Sequence, residues 1–279
     1  MTEGTKSTGK VARPQKATSG PVKFYLVAYN ALSAAGWAYV LALIVIHVFN
    51  LDGQSPSGVL EQPKATGLFS RLPLLKNATG GTIYANLPEW LKPVYARATT
   101  AHARAGFVTT FVQSFAVLEV VHAALGWVRS PVATTAMQVA SRLWLVWGIL
   151  DQFPSVHTNP LFASMVFAWS FTEVIRYTFY AFNLLGYNPR FLLWLRYTTF
   201  YILYPIGAGS EAFLMFATLP LESSPIESLK AGGTWTLADY GRGVLFAIWW
   251  PGLYVMYTYM IKQRRKVFGP AKGPKSKRA

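Results

Sequence analysis

FYLVAYNALSAAGWAYVLALIVIHVF, residues 24–49, contains no Asp, Glu, Lys or Arg. About twenty apolar residues in helical form cross the hydrocarbon core of a bilayer. Inside that core every backbone N–H and C=O must be satisfied within the protein, so the segment reads as a membrane-spanning helix. Five more apolar stretches follow, at roughly 105–128, 136–153, 161–187, 191–219 and 243–261. The expected fold is therefore all-α, a polytopic membrane protein built as a six-transmembrane-helix bundle. The expected division is a disordered basic tail over 1–23, a membrane domain over 24–262 and a basic tail over 263–279.

Composition agrees. Of 279 residues, 52% are hydrophobic and 13% charged, against about 25% charged in soluble proteins. The net charge is +15, of which residues 1–23 account for +4 and residues 262–279 for +8. Charge gathered beside the first and last spans points to a membrane flank and away from nucleic acid. Six crossings put both termini on one side, and their basic character assigns that side to the cytosol. Arg129 and Arg190 fall on the same side. The 50–100 connection is the misfit, with Lys64, Arg71, Lys76, Lys92 and Arg97 on the expected lumenal side; long loops weigh less in this rule. No cleavable leader is expected, because the first apolar span is too long for a signal core. The chain has no cysteine, which excludes disulfides, thiolate metal sites and a cysteine nucleophile. Gly207-Ala208-Gly209 is too short for a phosphate loop and lies inside a span.

Ionisable groups within spans are costly and so are candidates for function. They are Glu119, Asp151, Glu173, Arg176 and Glu211. Glu173 and Arg176, three apart, share a helix face, which equally suits an internal ion pair. Glu119 and His122 have the same spacing; with no second ligand pair they read as an interhelical contact, not a metal site. Asp151 reads as interfacial, and His47, His102 and His157 as surface or capping residues. The fifth span differs. It reads Tyr204-Pro205-Ile206-Gly207-Ala208-Gly209-Ser210-Glu211, and seven residues are almost two helical turns, so Tyr204 and Glu211 face the same way, about 10.5 Å apart along an ideal helix. Such a phenol and carboxyl could act as an acid/base pair on one substrate, or could simply hydrogen-bond in helix packing. Pro205 can kink the helix, and Gly207 and Gly209 leave room for a neighbouring helix or an acyl chain.

The strings YLVAYNALSAAGWAYVL (25–41), LEVVHAALGWVRSPVATTAMQVASRLWLVWGI (118–149), WSFTEVIRYTFYAFNLL (169–185) and LRYTTFYILYPIGAGSE (195–211) resemble the very-long-chain (3R)-3-hydroxyacyl-CoA dehydratase family, first called protein tyrosine phosphatase-like. The resemblance covers roughly 24–262. It implies six helices in the endoplasmic reticulum membrane and removal of water from a (3R)-3-hydroxyacyl-CoA to give a trans-2-enoyl-CoA, the third step of fatty acid elongation. It places the family's catalytic tyrosine and glutamate on Tyr204 and Glu211. No metal or other cofactor is implied. The partners implied are the acyl-CoA substrate, membrane lipid and the condensing enzyme, ketoacyl reductase and enoyl reductase of the cycle. Without cysteine the phosphatase mechanism is not open to this chain. Which of Tyr204 and Glu211 is base and which acid stays open at this point. Arg142 and Arg176 are candidates to steady a phenolate, Glu173 to support them, and Arg129, Arg190 and Arg196 to hold the polyanionic CoA head. Lys275 and Lys277 resemble a dilysine retrieval signal, and Asn77-Ala78-Thr79 is a glycosylation acceptor pattern. The competing reading is a non-catalytic scaffold of the elongation machinery, which a broken Tyr204 or Glu211 would have favoured.

Overall fold

The computed structural model describes residues 20–56, 80–220, 223–231 and 233–269; Asn77, Lys275, Lys277 and most of both tails lie outside them. Among the described residues every regular element is helical. In order they are α1 (Gly20–Phe49), α2 (Gly80–Asn86), α3 (Lys92–Ala98), α4 (Ala101–Ser114), α5 (Val117–Ala124), α6 (Val132–Leu143), a π-helical turn (Trp144–Leu150), a 3-10 turn (Pro154–Val156), α7 (Leu161–Leu185), α8 (Arg190–Arg196), α9 (Phe200–Phe216), α10 (Pro225–Ala231) and α11 (Leu237–Phe268). The six apolar stretches coincide with α1, α4–α5, α6 with its π turn, α7, α8–α9 and α11. Three helical stretches are long and apolar enough to cross a membrane by themselves: Gly20–Phe49, Ala101–Ala124 and Leu237–Phe268.

The helices end where local chemistry requires. Gly186 closes α7 at φ +93°, and the Tyr187 amide reaches back to the Phe182 carbonyl at 2.9 Å, the left-handed stop that glycine favours. Thr236 and Asp239 form a reciprocal capping box at the start of α11, satisfying two amides that a helix start leaves without partners.

α7 is the central rod, packed along α1 on one side and α9 on another, with α4 against α1 and α11 against α9. Trp37, Val40 and Ile44 of α1 meet Phe162, Met165, Val166 and Trp169 of α7, both at helical spacing. Fully buried Ala101 and Ala105 present a small-residue face on α4, which lets the backbones approach closely. The π turn directs Leu145, Val146, Ile149 and Leu150 into this core. The 50–100 connection contains α2 and α3, and two of its basic residues are bonded locally. Lys92 pairs with Glu89 at 2.5 Å. Arg97 donates to the Val48 carbonyl at 3.2 Å, near the C-terminal end of α1 where cations are favoured.

Among the histidines, His47 departs from expectation. His47 is buried, not on the surface: its Nε2 lies 3.0 Å from the Arg97 carbonyl and 2.8 Å from Thr100 Oγ1. His102 and His157 stack on each other with ring centroids 3.6 Å apart. The His157 ring also meets the Leu150 carbonyl at 2.7 Å, a capping role for the π turn as expected. Asp151 is exposed.

Candidate active site

Tyr204 and Glu211 both lie on α9, which runs unbroken through Pro205. Each is half-buried, and both lie within electrostatic reach of the Arg142 guanidinium of α6. Seven residues apart on one helix, the two fall on the same face. Gly207 lies between them in sequence. A Cβ added there would stand 3.4 Å from the Ala168 Cβ and 3.8 Å from Trp169, so the glycine brings α9 close against α7.

Two tryptophans flank the carboxyl group. Trp169 of α7 donates its Nε1–H to Glu211 Oε1 at 2.6 Å, and the Trp249 side chain of α11 lies close to the same carboxyl group. Indole N–H groups only donate, so Glu211 is presented as an acceptor. Trp169 is 2% exposed and also carries the Arg142 guanidinium on its ring, 4.9 Å from the centroid. The site is thus assembled from α6, α7, α9 and α11.

Behind it runs a chain of charges. Arg142 Nη1 donates to Glu173 Oε1. The second oxygen of Glu173 accepts from Arg176 Nε at 2.5 Å. Arg176 then forks onto both oxygens of Glu119 at 2.7 Å each, and the Tyr177 hydroxyl closes on Glu119 Oε1. A bidentate arginine–carboxylate pair combines strength with fixed geometry. Charges taken out of water need such partners, and Glu173, only 2% exposed, has two. The ion pair expected for Glu173 and Arg176 is present, and Glu119 and His122 make the expected interhelical contacts. The His122 Nε2 lies 3.0 Å from the Tyr25 hydroxyl of α1. Among the described residues no His/Asp/Glu group has the make-up of a metal site.

Arg196 stands apart from this chain, at the end of α8, where its Nη2 donates to the Tyr180 hydroxyl at 2.9 Å. Arg129 and Arg190 are exposed. A cavity of about 480 Å³ lined by His102, Phe111, Trp147 and Asp151, and one of about 500 Å³ lined by Ile44, Tyr95, Phe167 and Ile206, both lie away from Tyr204 and Glu211.

Trp169 and Trp249 were not singled out from the sequence. Trp169 sits four residues before Glu173 and seven before Arg176, the spacing that puts all three on one face, so a signal existed. Nothing local marks Trp249, which only the packing of α11 brings to Glu211.

Residues 113–270 match a family model described as "Protein tyrosine phosphatase-like protein, PTPLA". The "Probable very-long-chain (3R)-3-hydroxyacyl-CoA dehydratase" of Schizosaccharomyces pombe is 49% identical over 158 residues, covering 56% of this chain and 72% of the relative. "Very-long-chain (3R)-3-hydroxyacyl-CoA dehydratase PASTICCINO 2" of Arabidopsis thaliana is 34% identical over 90% of this chain and 95% of the relative. "Very-long-chain (3R)-3-hydroxyacyl-CoA dehydratase hpo-8" of Caenorhabditis elegans is 35% identical over 89% and 96%. No solved structure matches the chain. With more than half its length matched, the Tyr-Pro-x-Gly-x-x-x-Glu segment inside the match and near full-length relatives in two kingdoms, this chain belongs to the PTPLA family.

Proposed function

We propose that this chain is a hydro-lyase that removes water from a very-long-chain (3R)-3-hydroxyacyl-CoA to give the trans-2-enoyl-CoA, the third step of fatty acid elongation. The observation that carries the reading is the juxtaposition of Tyr204, Glu211 and Arg142, with Glu211 clamped by Trp169. Elimination needs a base for the proton on C2, next to the thioester, and an acid for the hydroxyl on C3. Glu211, presented as an acceptor, takes the C2 proton. The electron pair of that C–H bond first moves toward the thioester oxygen as an enolate, and then forms the C2–C3 double bond as the C3–O bond breaks. Tyr204 gives its phenolic proton to the departing hydroxyl, which leaves as water. Arg142 supplies positive charge where the thioester oxygen gains negative charge, the kind of preorganised stabilisation that counts most away from bulk water. Glu173 and Arg176 hold Arg142 in place from behind.

The same reading makes the bundle six-spanning with both termini cytosolic, in the endoplasmic reticulum membrane, working beside the condensing and reducing enzymes of the cycle. Three spans are supported by length and apolarity alone, and the basic tails support the orientation. The test is enoyl-CoA formation by protein purified in detergent. Wild type turns over; Tyr204→Phe and Glu211→Gln stay folded and lose at least a hundredfold in rate. Wild-type rates in both variants would remove the assignment.

A further inference from the structure

Four arginines have a carboxylate partner among the described residues: Arg104 with Asp52, Arg142 with Glu173, Arg176 with Glu173 and Glu119, and Arg242 with Asp239. Arg196 and Arg264 do not, among the described residues. The Arg196 guanidinium is enclosed by rings, 4.9 Å from the Phe179 centroid, 4.5 Å from Tyr180 and 5.8 Å from Tyr197. Its Nη1 is fully buried with no hydrogen-bond partner. Two residues on, Thr198 Oγ1 is buried and unpartnered too. Arg264, on the last turns of α11, lies 5.6 Å from both the Tyr201 and Phe268 centroids, and its Nε is likewise buried without a partner. The two arginine nests adjoin, because Tyr197 packs edge-on against Phe268 with centroids 6.2 Å apart.

Both arginines are partly buried and have no carboxylate partner, and buried donors left unmet are costly, so this end of the bundle is suited to an anion. Arginine's planar fork fits phosphate oxygens two at a time. Exposed Arg190, Lys262, Arg265 and Lys266 at the same end add a field that draws a polyanion in. Arg196 ends α8 and Tyr204 lies in the second turn of α9, so an arm that joins phosphates to a thioester would run along the start of α9. We propose that Arg196, Thr198 and Arg264 form the phosphate-binding site for the coenzyme A part of the substrate. This rests on the dehydratase reading for the identity of the substrate, while the anion site itself rests on the unmatched cations.

The test compares kcat/KM for a 3-hydroxyacyl-CoA with that for the same acyl chain on pantetheine, which lacks the phosphates. Arg196→Gln and Arg264→Gln should each lower the ratio of the two at least tenfold, through KM for the CoA ester, with Lys at either position restoring part of it. An unchanged ratio overturns the proposal, whether both substrates suffer equally or neither does. If Arg196→Gln fails to fold, Arg264→Gln decides alone. Equilibrium binding of free CoA to the purified protein separates this idea from the reading it rests on. Binding by wild type that both variants lose supports the site even if wild type makes no enoyl product; no CoA binding by wild type overturns it. Phospholipid co-purifying with wild type and lost from the variants, with CoA affinity unaltered, would assign the site to a lipid headgroup and overturn the CoA assignment.

Discussion

Trp169 joins the two charged partners of the site: its Nε1 donates to Glu211 across 2.6 Å while its ring lies under the Arg142 guanidinium at 4.9 Å. Trp169→Phe keeps the platform and removes the donor. Leaving a buried acceptor short of one bond costs about 1–3 kcal/mol, so kcat should fall roughly tenfold to a hundredfold with KM little changed. Steady-state kinetics on the purified variant check this, and a wild-type kcat would show that the indole N–H plays no part. Trp169→Ala should in addition lower stability by about 3–5 kcal/mol.

The division of labour proposed for Tyr204 and Glu211 has its own readout. With substrate in deuterated solvent, Tyr204→Phe should still exchange the C2 proton without losing hydroxide, while Glu211→Gln should do neither. Mass spectrometry of the recovered substrate gives the answer. Exchange by Glu211→Gln and none by Tyr204→Phe would reverse the roles.

Glu173 accepts from Arg142 and Arg176 together and is almost wholly enclosed. Glu173→Gln leaves two guanidiniums with Glu119 as the one remaining carboxylate of the chain. Breaking a buried pair from one side costs about 3–5 kcal/mol. The lower end applies here, because the two arginine side chains keep 27% and 25% of their surface accessible. A clear drop in the thermal unfolding midpoint in detergent is expected, with Arg129→Gln, at an exposed position, as the silent control.

Beyond the end of α1, Asp52 meets the Arg104 guanidinium, which holds its carboxyl below the usual carboxylate range through their hydrogen bond. A depressed folded-state value means that the pair stabilises above the unfolded value, about 3.9, and that its contribution disappears as pH falls through the folded one. Wild type should therefore lose stability on acidification below about pH 4 more steeply than Asp52→Asn. Parallel acid limbs in unfolding curves of the two proteins would contradict this.

Much of the site was legible because it obeys helical periodicity. Tyr204 and Glu211 share a face through their spacing, and Glu173 and Arg176 through theirs, so their neighbourhoods followed from one helix at a time. What one helix could not disclose is what crosses between helices. The fork of Arg176 onto Glu119 joins residues 57 positions apart, and Trp249 reaches Glu211 only because α11 lies along α9. The π turn after Arg142 was equally hidden, since its residues read as ordinary apolar helix. His47 misled because a histidine at the end of a span looks interfacial; the fold instead brings α3 and Thr100 over it.

Pro205 cannot donate to the carbonyl of Tyr201 four residues earlier, and the Tyr257 hydroxyl of α11 lies 3.4 Å from that oxygen. A defect in one helix thus becomes a latch for the next. An uninterrupted α9 would have kept that oxygen for itself and offered its neighbour only a smooth apolar flank, free to slide. The proline one position after Tyr204 therefore acts as a register pin, fixing the height at which the wall bearing Trp249 meets Glu211.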